Sequence, residues 1–380
     1  MRFLIYFYLF LFSLLLALLF VPLARKLAFR LNIIDLPQGR KAHSQPTPLL
    51  GGLAIYAAFL FTLALQIIAY LACKDLVWFA QIFPNLPDEA ARFLQTLPRL
   101  LAICAGGTLM VVLGFIDDRS GLNFSYKLKF AIQILAALLL VVAGVRTDLM
   151  PSVFLNTVVT VFWIVGITNA FNLLDNMDGL SSGIAIIAAA MFLVITIVQD
   201  QFFSAMILCI FAGAVLGFLR YNFYPAKIFM GDTGSLFIGY MLAALSITSS
   251  YVVPQSASMI PALMPLLVLS LPIFDTLSVI IIRLKEGRPI FSGDRRHFSH
   301  RLTDLGMTPA GAVVFIYLVA TTIGIAAALL PYLPLWGEIL VLIHTVLIYV
   351  MITTLVHVAK HRRQTILEQK STTVKAAGLE

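Results

Sequence analysis

Of the 380 residues, 61% are hydrophobic and only 12% are charged, whereas soluble domains carry about 25% charged residues. That balance excludes a large soluble domain and indicates an all-α integral membrane protein. The net charge of +8 does not call for nucleic acid, because basic loops in a membrane protein set its topology.

Apolar windows of about 20 residues, enough to cross a hydrocarbon core of about 30 Å, recur along the chain. They predict spans at 2–24, 49–72, 98–116, 128–145, 151–168, 183–199, 203–220, 234–253, 259–282, 309–330 and 336–358. The first is read as a span and not as a secretory signal, since it is long and lacks a small-residue cleavage site. The expected architecture is a polytopic bundle of about eleven transmembrane helices: one catalytic domain over 1–358, then a polar, loosely ordered cytoplasmic tail over 359–380. Between the second and third spans, residues 74–97 read as a loop, with Pro84 and Pro87 against a regular helix. Cys73, Cys104 and Cys209 are too scattered for a metal or disulfide framework.

Eleven crossings put the termini on opposite sides. With the amino terminus outside, 21 of the 26 Lys and Arg fall on the inner side, leaving Arg2, Lys74, Arg92, Arg99 and Arg146 outside. Positive residues are retained in the cytoplasm, so this is the expected orientation.

Five inner segments then share one membrane face. The first contains Lys41, His43, Pro46, Pro48 and the pair Gly51-Gly52, a shaped basic loop at a helix entrance. In the second, an apolar run ends at Asp117-Asp118. A charge at the bilayer centre costs about 2.5 to 3.5 kcal/mol on the lenient scale, so the pair belongs at a water boundary, where carboxylates suit magnesium. The third places Asn169, Asn172 and Asn176 on one helical stripe, with Asp175 and Asp178 on the next. The fourth frames Asp232 between Gly231 and Gly234, ahead of an apolar span, which fits either a phosphate nest or an ordinary helix cap. The fifth runs from Asp275 through Arg296, His297 and His300 to Arg301, a basic arm for an anion. Carboxylates beside a basic arm suit metal-assisted phosphoryl transfer between two anionic partners, one of them held by lipid.

In that order, Asp117-Asp118, Asn169 to Gly179, Phe229-Met230-Gly231-Asp232-Thr233-Gly234-Ser235 and the late histidine segment resemble the polyprenyl-phosphate N-acetylhexosamine-1-phosphate transferase family, from the first loop to about Arg301. The resemblance implies magnesium-dependent transfer of a sugar-1-phosphate from a UDP-sugar to undecaprenyl phosphate, with manganese a substitute metal. It implies a bacterial cytoplasmic membrane, a cytoplasmic site and the start of a lipid-linked cell-surface glycan, such as O-antigen or a cell-wall polymer; a homodimer is entertained as the assembly. Asp294-Arg295-Arg296-His297-Phe298-Ser299-His300-Arg301 is more similar to the WecA and TagO branch than to MraY, except that Ser299 stands where that branch has a histidine. GlcNAc-1-phosphate is therefore the favoured group, with FucNAc, QuiNAc and phospho-MurNAc-pentapeptide as alternatives.

By the same resemblance Asp117 and Asp118 are the expected catalytic residues, and Asp118 and Asp232 the metal ligands. Lys41, Asn172, Asp175, Asp178, Arg296, His297, His300 and Arg301 are expected to bind substrate. A covalent aspartyl step and a one-step displacement both stay open. A multi-span transporter or flippase is the non-enzyme alternative, but it would carry its polar residues toward the bilayer midplane, whereas these lie at helix ends.

Overall fold

A computed structural model describes residues 2–36, 46–77, 81, 86–120, 124–289 and 296–376. Its helices are α1 (Arg2–Leu31), α2 (Gly51–Cys73), α3 (Leu86–Ser120), α4 (Tyr126–Val142), α5 (Val153–Leu174), α6 (Leu180–Val198), α7 (Phe202–Asn222), α8 (Gly231–Thr248), α9 (Met264–Val268), α10 (Ser270–Lys285), α11 (Phe298–Asp304), α12 (Pro309–Leu329) and α13 (Leu335–Ala376). Two-residue strands, β1 (Ile34–Asp35) and β2 (Thr47–Pro48), pair antiparallel with Ile34 opposite Pro48.

Each expected span contains a helix, yet the details differ in instructive ways. Among the described residues, eight helices are long and apolar enough to cross a membrane, or nine if a bent pair counts as one. That pair is the 259–282 window, which turns by 67° between α9 and α10. Pro265 and Pro272 lie in the first turns of α9 and α10, where proline is tolerated because its missing N–H has no helical partner. The loop expected over 74–97 is corrected in the same terms: α3 already begins at Leu86 and takes Pro87 at its start. At the other end of the chain α13 continues to Ala376, so the tail is helical over most of its length.

The remaining two windows, α4 and α8, fall short by length or composition. For α8 the cause is its position. Every residue from Thr233 to Ser246 is buried, because α2, α3, α5 and α6 pack around it. A helix enclosed by protein has no need of a lipid-compatible exterior, and α8 uses Gly, Ala and Ser to let its neighbours approach. Trp163 of α5, for example, donates its indole N–H to Ser246 Oγ at 3.0 Å. The outer helices show the opposite pattern: Leu15 and Leu19 of α1 and Leu347 and Leu355 of α13 are exposed, as a lipid-facing surface requires.

Candidate active site

The centre of the site is the amino-terminal end of α8. Gly231 has φ +68°, and a Cβ there would lie 2.4 Å from the Leu49 carbonyl oxygen and 2.6 Å from Asp118 Oδ2, so only glycine fits. Backbone bonds fix the turn from the opposite side. Gly51 and Gly52 donate to the Phe229 and Met230 carbonyls at 3.0 and 2.9 Å, and Phe229 donates back to Pro48 at 2.8 Å. The glycine pair and the Asp232 segment, far apart in sequence, therefore form one clamp.

Asp118, near the end of α3, aims its carboxylate into that turn. Oδ1 accepts the Asp232 N–H at 2.8 Å, and Oδ2 accepts the Thr233 N–H at 3.0 Å and the Thr233 hydroxyl at 2.6 Å. A carboxylate on unpaired first-turn amides is stabilising by about 0.3 to 2 kcal/mol. The close approach depends on Gly114, where a Cβ would meet the Asp232 carbonyl at 2.4 Å. Asp118 thus braces α8 with both oxygens.

Asp117 points elsewhere, to Lys129 of α4. The Lys129 ammonium donates to Asp117 Oδ2 at 2.8 Å, to Asn172 Oδ1 at 3.2 Å and, in a short contact, to Asp232 Oδ2. Asn172 in turn donates to Asp232 Oδ1 at 2.8 Å and to Ser235 Oγ at 2.9 Å. Four helices meet at this one ammonium. In the sequence Lys129 reads only as one of the inner-side basic residues that set topology; its signal is a lysine in the first turn of an apolar helix, with Gln133 one turn on and bonded to Asn169.

The expected asparagine stripe is corrected by the end of α5. Asn169 and Asn172 lie on the helix, but it stops at Leu174, so Asn176 and Asp178 belong to the following turn. There Asp178 accepts the Ala226 N–H at 2.9 Å, while Asn222 Oδ1 accepts from the Gly179 N–H and the Ser182 hydroxyl at 3.1 and 3.0 Å. Asp175 caps α5. Burial, and to a lesser degree the charges of Asp232, Asp118 and Asp178, push its pKa up to about 8.

The basic arm reaches this turn through α11. Ser299, buried, donates to Asn176 Oδ1 at 2.5 Å, so the residue that departs from the family pattern serves to pack the arm. His297 and Asp275 are also buried, with Nδ1 and Oδ2 2.8 Å apart. Arg301 lies with its guanidinium 5.8 Å from the Phe298 ring centroid and donates to Ser278 Oγ at 2.9 Å; among the described residues its buried Nε has no partner. His300 follows on the same helix. Arg296 turns outward to pair with Glu286 at 3.0 Å. Lys41, His43, Asp294 and Arg295 lie outside the described residues.

Hard oxygen donors are therefore gathered, but among the described residues no three His, Cys, Asp or Glu side chains are disposed to hold a metal by themselves. Magnesium does not require that many, since it commonly takes one or two carboxylates and completes its shell with water and substrate phosphate. The oxygen donor set of Asp117, Asp175 and Asp232 fits such an ion.

Residues 100–250 match the family model described as glycosyl transferase family 4. A probable undecaprenyl-phosphate N-acetylglucosaminyl 1-phosphate transferase of Bacillus subtilis (strain 168) is 34% identical over 342 residues, covering 88% of this chain and 87% of that protein. A decaprenyl-phosphate N-acetylglucosaminephosphotransferase of Mycolicibacterium smegmatis is 35% identical, over 80% and 77% of the two chains. The undecaprenyl-phosphate alpha-N-acetylglucosaminyl 1-phosphate transferase of Yersinia pestis is 28% identical, over 90% and 88%.

Proposed function

We propose, because the chain belongs to the polyprenyl-phosphate N-acetylhexosamine-1-phosphate transferase family, that it transfers GlcNAc-1-phosphate from UDP-GlcNAc to undecaprenyl phosphate and releases UMP. The observation that carries this reading is the meeting of Asp117, Lys129, Asn172 and Asp232 at the ends of four helices. A junction at helix ends suits a reaction between a lipid-held phosphate and a soluble nucleotide. A transport path would need polar groups continuing toward mid-span.

An oxygen of the lipid phosphate attacks the phosphorus that carries the sugar, the bond to the other phosphate breaks, and UMP leaves with that bridging oxygen. A phosphate is already a nucleophile near neutral pH, so a one-step displacement needs no activated side chain. Asp117 orients the lipid phosphate, and Lys129 offsets negative charge as the two anions approach. Asp232, with Asp118 holding its backbone in place, is the proposed anchor for magnesium, and Asp175 is the further carboxylate available to it. When bound, magnesium supplies charge neutralisation to the diphosphate oxygens. Asn172 keeps Asp232 in place, Asp178 braces the 225–229 loop, and His297, His300 and Arg301 face the diphosphate or sugar. The site lies on the cytoplasmic side of a bacterial inner membrane in this reading.

Purified protein in detergent, given undecaprenyl phosphate, magnesium and a panel of UDP-sugars, is expected to release UMP and form a lipid-linked sugar with UDP-GlcNAc preferred. No UMP from any UDP-sugar would overturn the reading; preference for a deoxyhexosamine donor would change the sugar alone.

A further inference from the structure

Asp275 has no role in the reaction described above, yet it is among the most deeply buried acids of the protein, 2% exposed. Burying a carboxylate is costly unless its oxygens find partners. Both do. Oδ1 accepts the Phe298 N–H at 2.6 Å, and Oδ2 faces His297 Nδ1 at 2.8 Å. The first bond caps the start of α11, a task that a Ser, Thr or Asn at the cap position itself performs in most helices. Here the cap position is His297, and a carboxylate from α10 supplies both the cap and the ring partner.

The surroundings make the arrangement rigid. Phe298 is buried edge-on against Phe274 with centroids 5.9 Å apart, and Phe274 stacks on Tyr349 of α13 at 4.4 Å. One turn beyond Asp275, Ser278 holds Arg301. On the far side, Ser299 ties α11 to Asn176, between Asp175 and Asp178. The histidine is thus fixed on an arm bonded both to α10 and to the carboxylate-bearing turn.

An imidazole with a carboxylate on one nitrogen has its tautomer and ring orientation set by that bond. We propose that Asp275 is a positioning residue: it keeps the proton of His297 on Nδ1 and holds the ring so that Nε2 is the nitrogen offered to the nucleotide-sugar. This rests on the transferase reading for the ligand, but the tautomer itself does not depend on it. Asp275 acts through His297, so its removal should do no more harm than removal of the ring it aims.

That makes a double-mutant cycle the test. UMP release is measured against UDP-GlcNAc concentration for the wild type, Asp275→Asn, His297→Gln and the double variant. Asparagine keeps an acceptor for the Phe298 N–H while exchanging the carboxylate. The expected result is a rise of roughly tenfold in KM for UDP-GlcNAc in each single variant, with the double variant no worse than His297→Gln. Multiplying losses in the double variant, or wild-type KM and kcat in Asp275→Asn, would overturn the proposal. Histidine-selective 15N spectra supply a readout independent of turnover: the wild-type His297 signal should show Nδ1 protonated and Nε2 bare at high pH, and the reverse tautomer would also overturn it. Should the wild type release no UMP from any UDP-sugar, the transferase reading falls while the spectra still decide the role of Asp275. If Asp275→Asn does not fold, Asp275→Glu keeps the charge, moves it by one methylene and completes the cycle.

Discussion

Lys129 stands between acids from two other helices, with the side chains of Lys129 and Asp117 only 15% and 16% exposed. Removing one partner of such a junction leaves the others uncompensated. For Lys129→Met we expect turnover to fall roughly 100-fold, the scale of losing a group that stabilises developing charge. The same change makes the pocket more negative, so the magnesium concentration for half-maximal activity should fall as turnover does; a titration of both proteins with the metal checks the two effects together. Asp175 makes a prediction of opposite kind. Its folded pKa of about 8 lies above the unfolded value, so between roughly pH 4 and 8 the folded state binds more protons than the unfolded one. Stability without divalent metal should therefore fall as pH rises through that window, by up to about 1.4 kcal/mol per pH unit. Asp175→Asn should flatten the dependence, which melting curves in metal-free detergent solution can show. The acids and asparagines of the site could be picked out of the sequence because polar residues at the ends of apolar runs are conspicuous. Lys129 could not, since a lysine at a helix start has an ordinary explanation in topology.

Helix α8 shows how an element's burial shapes its composition. It is enclosed by protein, and its first turn is held by the Gly51-Gly52 clamp on one side and Asp118 on the other. Gly231→Ala should disturb both, because alanine resists a left-handed backbone by about 1 to 2 kcal/mol and its Cβ would meet the Leu49 carbonyl and Asp118. We expect a lower melting temperature and at least a tenfold loss of UMP release, without a changed preference among donors. The sequence indicated a helix following Gly231, but left Asp232 equally readable as a cap or as a ligand. The structure gives the capping task to Asp118 and frees the Asp232 side chain for Lys129 and Asn172. The basic arm was likewise visible as charge and histidine, while the anchoring partners of Asp275 and Ser299 were not, since pairings across 22 and 123 residues leave no local pattern.

At the scale of the whole molecule, the excess of basic residues on one side gives an expected orientation, with the site facing the cytoplasm, that labelling can test. In a variant with Cys73, Cys104 and Cys209 replaced, Lys227→Cys should resist a membrane-impermeant maleimide in intact cells and react in inverted vesicles; Arg146→Cys should do the reverse. Labelling of Lys227→Cys in intact cells would contradict the assigned face. By itself the sequence determined the membrane environment, the helical class and the ordered motifs of the family, because hydrophobic run length and short-range spacing are properties of the chain alone. The tertiary structure decided which helices face lipid and which face protein, where a span bends, and which carboxylate braces α8 and which pairs with Lys129. Those outcomes depend on what lies across a helix interface, where a single glycine such as Gly114 admits a backbone from more than 100 residues away.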